Sequence, residues 1–222
     1  MSNLFYSGSG RHTSGAFTVT MKDGAKLAKQ IAKLENGGKV AIQRTVSDFN
    51  SRAPAWVSKG IRQHYGVDTA AIKRGATHIN VAGVSVDGAT LEYKGRTLTP
   101  THFKMSPKSR PTKRRRTPIL IPGQMLNSSP EVGTVRPPAP YQITAQIIKG
   151  QRARLPDNTF MGAGKVPAIP FQRTGSGRGP LEAVHTLSVP QMIDGRAKET
   201  IETMISEGLE KRFTHHVQQA MK

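Results

Sequence analysis

A run of basic residues in the middle of the sequence is the feature best suited to binding a partner. Between Glu92 and Asp157 there is a single acidic residue, Glu131, against thirteen lysines and arginines. Such an excess cannot neutralise itself locally, so it needs solvent, phosphate groups or an acidic partner. The candidate contact residues in its densest part are Lys104, Lys108, Arg110, Lys113, Arg114, Arg115 and Arg116.

Three interpretations of this cluster are open. It binds nucleic-acid backbone without sequence preference, it docks on an acidic protein surface in an assembly, or it is a solvated loop without a ligand. The nearby aromatic residues Tyr93, Phe103 and Tyr141 are too few for the stacking platform that single-strand binders use. No zinc-finger, RNA-recognition or homeodomain signature is present. The cluster therefore indicates attraction to negative charge without sequence-specific recognition.

Two other motifs resemble ligand sites but are better explained as structure. The glycine-rich segment Thr174–Gly179 lacks the GK[ST] ending of a phosphate-binding loop, and Pro180 follows where a helix would have to begin. We interpret this segment as a loop. His215 and His216 are adjacent, so on a helix they point about 100° apart and do not readily chelate one metal ion.

The sequence contains no recognisable active site. Cysteine is absent, which excludes disulfides, thiolate metal sites and cysteine nucleophiles. Acidic residues are sparse and mostly lie on the C-terminal helix, so no pair of catalytic carboxylates stands out. Ser58, Ser176 and Ser188 lack the surroundings of an activated nucleophile. We therefore expect a protein that is not an enzyme and that uses no metal ion or cofactor.

The composition also favours a binding or structural role. The formal net charge is +19, far above the roughly 2–8 that keeps a small domain in solution. Hydrophobic residues make up 36% and aromatic residues 5% of the chain, which predicts a modest core with much extended structure. No apolar run approaches the ~20 residues of a membrane span, and Met1–Gly8 does not resemble a secretory signal. We expect a soluble protein made in a cytoplasm.

Helical periodicity appears in two places, from Ala25 to about Arg74 and from Ala197 to Met221. Pro54 interrupts the first pattern, which predicts a kink or a restart near Ser51. The apolar stripe of the first segment consists of Ile42, Val46, Phe49, Ala53, Trp56, Val57 and Ile61. The stripe of the second consists of Ala197, Ile201, Met204, Ile205, Gly208, Leu209, Arg212, Phe213, Val217 and Met221.

The region between these helices is predicted to be β structure and loops. Fourteen of the fifteen prolines fall between Pro100 and Pro190, which forbids a long helix there. Asp87-Gly88 and Lys94-Gly95-Arg96 are plausible hairpin turns. The candidate strands are Ile79–Ala82, Leu91–Tyr93, Gln142–Ile148 and Ala183–Leu187.

These patterns together predict an α+β protein. N-terminal helices and a C-terminal amphipathic helix are expected to surround a small antiparallel β-sheet. Residues 1–24 are predicted as an N-terminal arm, and residues 25–222 as a single α+β domain. That domain would contain an extended, basic, proline-rich loop at about 104–140.

The order of short phrases along the chain resembles a known family. Val40–Val46 is similar to an AINR-type helix start, Ala168–Leu181 to a strand pair of the xxR…GR.P type, and Val189–Met192 to a VPxM start of the last helix. Over about residues 38–220, the chain resembles the minor tail protein Z family of tailed phages and prophages, also called tail completion proteins.

This resemblance implies a virion component at the head–tail junction or the end of the tail, assembled in the host cytoplasm. Its expected partners are other tail and neck proteins, further copies of itself in a ring-like homo-oligomer, and the backbone of packaged DNA. No catalytic residues are implied, and no membrane is involved. The alternative expectation is a nucleic-acid-binding protein without sequence specificity, whose cations neutralise phosphates.

Overall fold

The fold is α+β. The computed structural model describes residues 4–21, 23–34, 36–73, 77–108, 142–162, 169–175 and 179–221. Its helices are α1 (Gly24–Ala32), α2 (Asn36–His64), α3 (Thr69–Lys73), α4 (Val189–Asp194) and α5 (Lys198–Ala220), with a 3-10 turn at Pro100–His102. Its strands are β1 (Tyr6–Ser7), β2 (His12–Thr20), β3 (Thr77–Val84), β4 (Gly88–Arg96), β5 (Lys104–Ser106), β6 (Thr144–Gln146), β7 (Ala153–Arg154), β8 (Thr159–Met161), β9 (Pro170–Arg173) and β10 (Leu181–His185).

The two long helices, α2 and α5, pack against each other and form the centre of the core. Most residues of the two predicted apolar stripes are buried or half-buried here, because apolar side chains at steps of three and four share one helical face. Met221, at the end of the second stripe, is exposed. Two glycines allow the close approach. A side chain on Gly60 would meet Ile201 at 2.5 Å, and one on Gly208 would meet the Trp56 ring at 2.6 Å. The fully buried residues of the pair include Phe49, Ala53, Val57 and Ile61 of α2, and Ile201, Ile205, Leu209 and Phe213 of α5.

The described strands form three small antiparallel sheets where the sequence predicted one. Their orders are β1-β10-β9-β8, β2-β4-β3 and β5-β6-β7. In the second sheet Leu91 of β4 lies between Phe17 of β2 and Val81 of β3. Phe17 and Leu91 are buried, so this sheet follows the usual pattern in which one face packs on the core.

The N-terminal segment predicted as an arm contributes strands to two of these sheets. Tyr6 pairs with His185, and the whole of His12–Thr20 pairs with β4. The side chains of Phe17, Val19 and Met21 are buried in the core. Buried and exposed residues alternate along β2, as is typical of a half-buried strand. The buried side chains anchor the segment to the core.

The structure corrects the restart predicted near Ser51 and the turn predicted at Gly95. Helix α2 runs without a restart from Asn36 to His64, with Pro54 inside it. The proline removes one backbone donor, but packing along both sides of it keeps the helix continuous. Gly95 does not lie in a turn, because β4 is the central strand and Gly95 pairs with Thr13 on one side and Thr77 on the other. The hairpin predicted at Asp87-Gly88 is present, and it joins β3 to β4.

The start of α4 is fixed by a capping box. The backbone N–H of Gln191 donates to Ser188 Oγ at 3.2 Å, and the backbone N–H of Ser188 donates to Gln191 Oε1 at 2.9 Å. At the other end of α4 the Tyr93 hydroxyl donates to Asp194 Oδ1. Burial, together with this carboxylate, raises the pKa of Tyr93. The phenol therefore stays protonated and ties α4 to the central strand of a sheet.

The basic loop predicted at about 104–140 coincides with described structure only at its start. Lys104–Ser106 forms β5, which pairs with β6, and residues 109–140 lie outside the described residues. Among the helices that the structure describes, none has the length and apolar character needed to cross a membrane.

The helix pair yields a direct stability test. Replacing Gly60 with Leu should lower the free energy of unfolding by roughly 1–3 kcal/mol or more, since the new side chain overpacks the contact with Ile201. The matched control is Ala55→Leu, at an exposed position of the same helix, where we expect a change within about 0.5 kcal/mol. Urea unfolding followed by circular dichroism measures both. Equal stability of the two variants would contradict the close-packed interface.

Candidate functional site

A groove of about 790 Å³ lies where the end of α2 meets α3, the 3-10 turn and β5. Buried Val67, Phe103 and Met105 are among the residues that line it. The charged residues that line it have exposed side chains, and more of them are basic than acidic. The cations are Arg62, Lys104, Lys108 and Arg152, and the carboxylate is Asp68. We refer to this site as the basic groove.

Backbone contacts hold the walls of the basic groove together. The N–H of Asp68 donates to the carbonyl of His102 at 2.8 Å, and Val67 forms an isolated bridge with Phe103. On the other side, the N–H of Gly66 donates to Ile147 O at 2.9 Å. A side chain at Gly66 would collide with the backbone carbonyl of Gln146. Only glycine therefore lets the end of α2 approach the β5-β6-β7 sheet this closely.

Among the described residues, no carboxylate forms an ion pair with the cations of the basic groove. Within the part of the chain that the structure describes, the ion pairs are those of Asp48 with Arg212, at 3.4 Å, and with His216, at 3.2 Å. Asp68 instead accepts a hydrogen bond from the backbone N–H of Ala70 at 3.4 Å. Arg152 donates to the hydroxyl of Thr144 at 3.4 Å. The groove thus presents positive charge that is available to an external anion.

His102 adds a titratable group to the groove wall. Burial lowers the pKa of His102, and the carboxylate of Asp68 opposes that shift in part. The imidazole is therefore neutral near pH 7, and it adds to the positive charge of the groove only in acid.

The structure places two of the seven predicted contact residues in this groove. Lys104 lies on β5 and Lys108 follows that strand, both with exposed side chains. The remaining predicted contact residues, Arg110, Lys113, Arg114, Arg115 and Arg116, lie outside the described residues. The groove and the densest basic run are therefore directly consecutive in the sequence.

Sequence reasoning missed two of the groove cations. Arg152 belongs to the stretch between Glu92 and Asp157 that is nearly free of acids, so the charge pattern could have included it. Arg62 lies on α2, 42 residues before Lys104, and no local signal connects it to the basic run. Only the tertiary fold brings the two together.

The described residues contain no arrangement for metal chemistry. Across the described ranges, no three or more of the histidines and carboxylates are placed to hold a metal ion. His216 instead contacts Asp48 of α2 at 3.2 Å, while His215 is exposed. The glycine-rich segment at 174–179 is described only in part, since residues 176–178 fall outside the described residues.

Comparisons of the chain with models of protein families, with curated proteins and with solved structures find no match.

Acid should destabilise the fold through two half-buried histidines. Burial lowers the pKa of both His102 and His185 from 6.5, so the unfolded chain binds protons first as the pH falls. The contribution of the neutral rings is complete above about pH 7 and is lost as the pH drops below about 6.5. Urea unfolding between pH 7.5 and pH 5 measures this slope.

The matched variant for this test is His102→Gln/His185→Gln. Its stability at pH 7.5 falls because of lost packing, but its dependence on pH should be shallower than that of the wild type. A wild-type profile that stays flat from pH 7.5 to pH 5, or a variant with the same slope, would contradict the role of these rings.

Proposed function

We propose that this protein is a structural component of a phage virion, a tail completion or neck protein that acts by assembly with neighbouring tail proteins and supports DNA delivery. The observation that carries the proposal is the basic groove, whose exposed cations lack acidic partners within the described residues. A protein that assembles on acidic neighbours needs such a surface, because an unpaired cationic patch gains most when it is covered by opposite charge.

The position of the groove in the sequence supports the same proposal. Lys104 and Lys108 at the groove are followed within a few residues by Arg110 and by Lys113–Arg116. One cationic stretch thus begins on a folded strand and continues along the chain. A stretch of this kind suits wrapping around a neighbouring subunit, with further copies of the chain in a ring-like homo-oligomer or with packaged DNA as additional contacts.

A second candidate, a nucleic-acid-binding protein without sequence specificity, is favoured by one feature of the same groove. In the described part of its lining, four cations face a single carboxylate, Asp68, and such a balance also suits a phosphate backbone. This candidate requires binding to persist without any phage partner. It also requires a steep loss of affinity as the salt concentration rises.

Pull-down from infected or induced cells separates these two functions. The tagged wild type is compared with Lys104→Glu/Lys108→Glu, with and without nuclease treatment. We expect tail or neck proteins to co-purify with the wild type after nuclease and to be lost in the variant, because charge reversal repels an acidic surface. The control is Lys26→Glu/Lys29→Glu, which makes the same change of net charge on exposed positions of α1 and should retain the partners.

The opposite outcome is equally clear. If only nucleic acid is recovered and everything is lost on nuclease treatment, the assembly function is wrong and the nucleic-acid binder is supported. In that case the slope of log affinity against log salt for a DNA duplex should become shallower by about 2 in the groove variant, or roughly one per lost phosphate contact. Fluorescence anisotropy measures that slope.

A further inference from the structure

A second groove, of about 510 Å³, lies between the exposed sides of α2 and α5 and shares no lining residue with the basic groove. Trp56, the only tryptophan of the chain, is one of the residues that line it. The site combines an apolar surface with charged residues around it. We refer to it as the Trp56 groove.

The apolar part of the Trp56 groove is built around a recess. The Trp56 ring covers Gly208, where a side chain would approach the indole to 2.6 Å. The indole is held from below by Phe49, whose ring lies edge-on with centroids 5.7 Å apart. Met204, which is half-buried, lines the same groove. The indole is therefore held in place by packing, and it leaves part of its surface for an apolar group of a partner.

The rim of the Trp56 groove is cationic and largely unpaired. Arg52, Lys59 and Lys211 are exposed there, and within the described ranges none of them forms an ion pair, since those ion pairs all involve Asp48. Of the described residues that line the groove, Glu207 alone carries a carboxylate. An aromatic platform bordered by free cations is complementary to an apolar side chain flanked by carboxylates.

We propose that the Trp56 groove binds an acidic peptide segment of a partner protein, with an aliphatic or aromatic side chain of that segment resting on Trp56. Its cations attract and orient the acidic residues, and the apolar contact with the indole adds to the affinity. Glu207, within the lining, and Glu210, one turn further along α5, repel a continuous phosphate backbone. A peptide can avoid this repulsion, because its carboxylates are separated by uncharged residues. The inference does not depend on the assignment to a phage tail, because it follows from this surface alone.

The sole tryptophan makes the binding directly observable. The probe is a short synthetic peptide of aspartate and glutamate with a central pair of phenylalanines, titrated at low salt while Trp56 emission is recorded. We expect a saturable change of the emission, because the phenylalanine side chain displaces water from the indole. Two matched peptides test the chemistry. One replaces the acidic residues with lysine and should not bind, and the other replaces phenylalanine with serine and should bind about tenfold more weakly.

A charge-reversed protein tests the location of the site. Lys59→Glu/Lys211→Glu retains Trp56 as the reporter and should weaken binding of the acidic peptide at least about tenfold. Lys26→Glu/Lys29→Glu changes the net charge equally, on α1 and outside both grooves, and should leave the affinity close to that of the wild type. Circular dichroism confirms that both variants are folded.

Three results would overturn the proposal. The first is equal weakening by both charge-reversed proteins, which would mean that net charge alone attracts the peptide. The second is unchanged affinity of Lys59→Glu/Lys211→Glu. The third is a saturable change of Trp56 emission with single-stranded oligothymidylate at lower concentration than with the acidic peptide. That outcome would identify the groove as a base-stacking site for nucleic acid.

Discussion

The close packing of α2 against α5 is the contact on which the rest of this structure depends. Gly60 and Gly208 allow the two helices to approach, and the apolar side chains between them form the centre of the core. Both surfaces described above are consequences of this pairing. The C-terminal end of α2 delivers Arg62 and the Gly66-Val67 corner to the basic groove, whereas the middle of the same helix places Trp56 beside α5.

The second general feature of the molecule is its excess of positive charge, little of which is neutralised by ion pairs among the described residues. Asp48 attracts Arg212 and His216 and so joins α2 to α5 electrostatically, but within the described residues the other lysines and arginines have no such partner. Exposed cations of this kind contribute little to stability, since water screens them. They matter more for association, because attraction to a partner surface of opposite charge raises the rate of encounter and fixes the orientation of the two proteins. This is the physical reason for proposing a role in binding.

Local patterns made much of the fold predictable. The stripes of α2 and α5 follow the helical period, and the turn at Asp87-Gly88 follows turn chemistry, so each can be recognised from a short window of sequence. The features that were predicted wrongly or not at all depend on contacts between residues far apart in the sequence. Gly95 has the composition of a turn, but β2 and β3 pair on both sides of it. Likewise Lys104 and Lys108 were predicted as contact residues, whereas Arg62 was not, because only the folded chain brings α2 beside β5.

The pairing of the chain's beginning with its end has a consequence for synthesis on the ribosome. The Thr186 hydroxyl donates to Leu4 O at 2.8 Å, and the hydroxyls of Thr13 and Ser188 lie 2.6 Å apart. These partners are separated by 182 and 175 positions, so at the usual elongation rates strand β1 waits on the order of 10 s for β10 to emerge. During that interval its backbone donors and acceptors are unpaired. The sheet that contains β1 is therefore completed late in synthesis, and α5, which follows β10 in the sequence, joins the core later still.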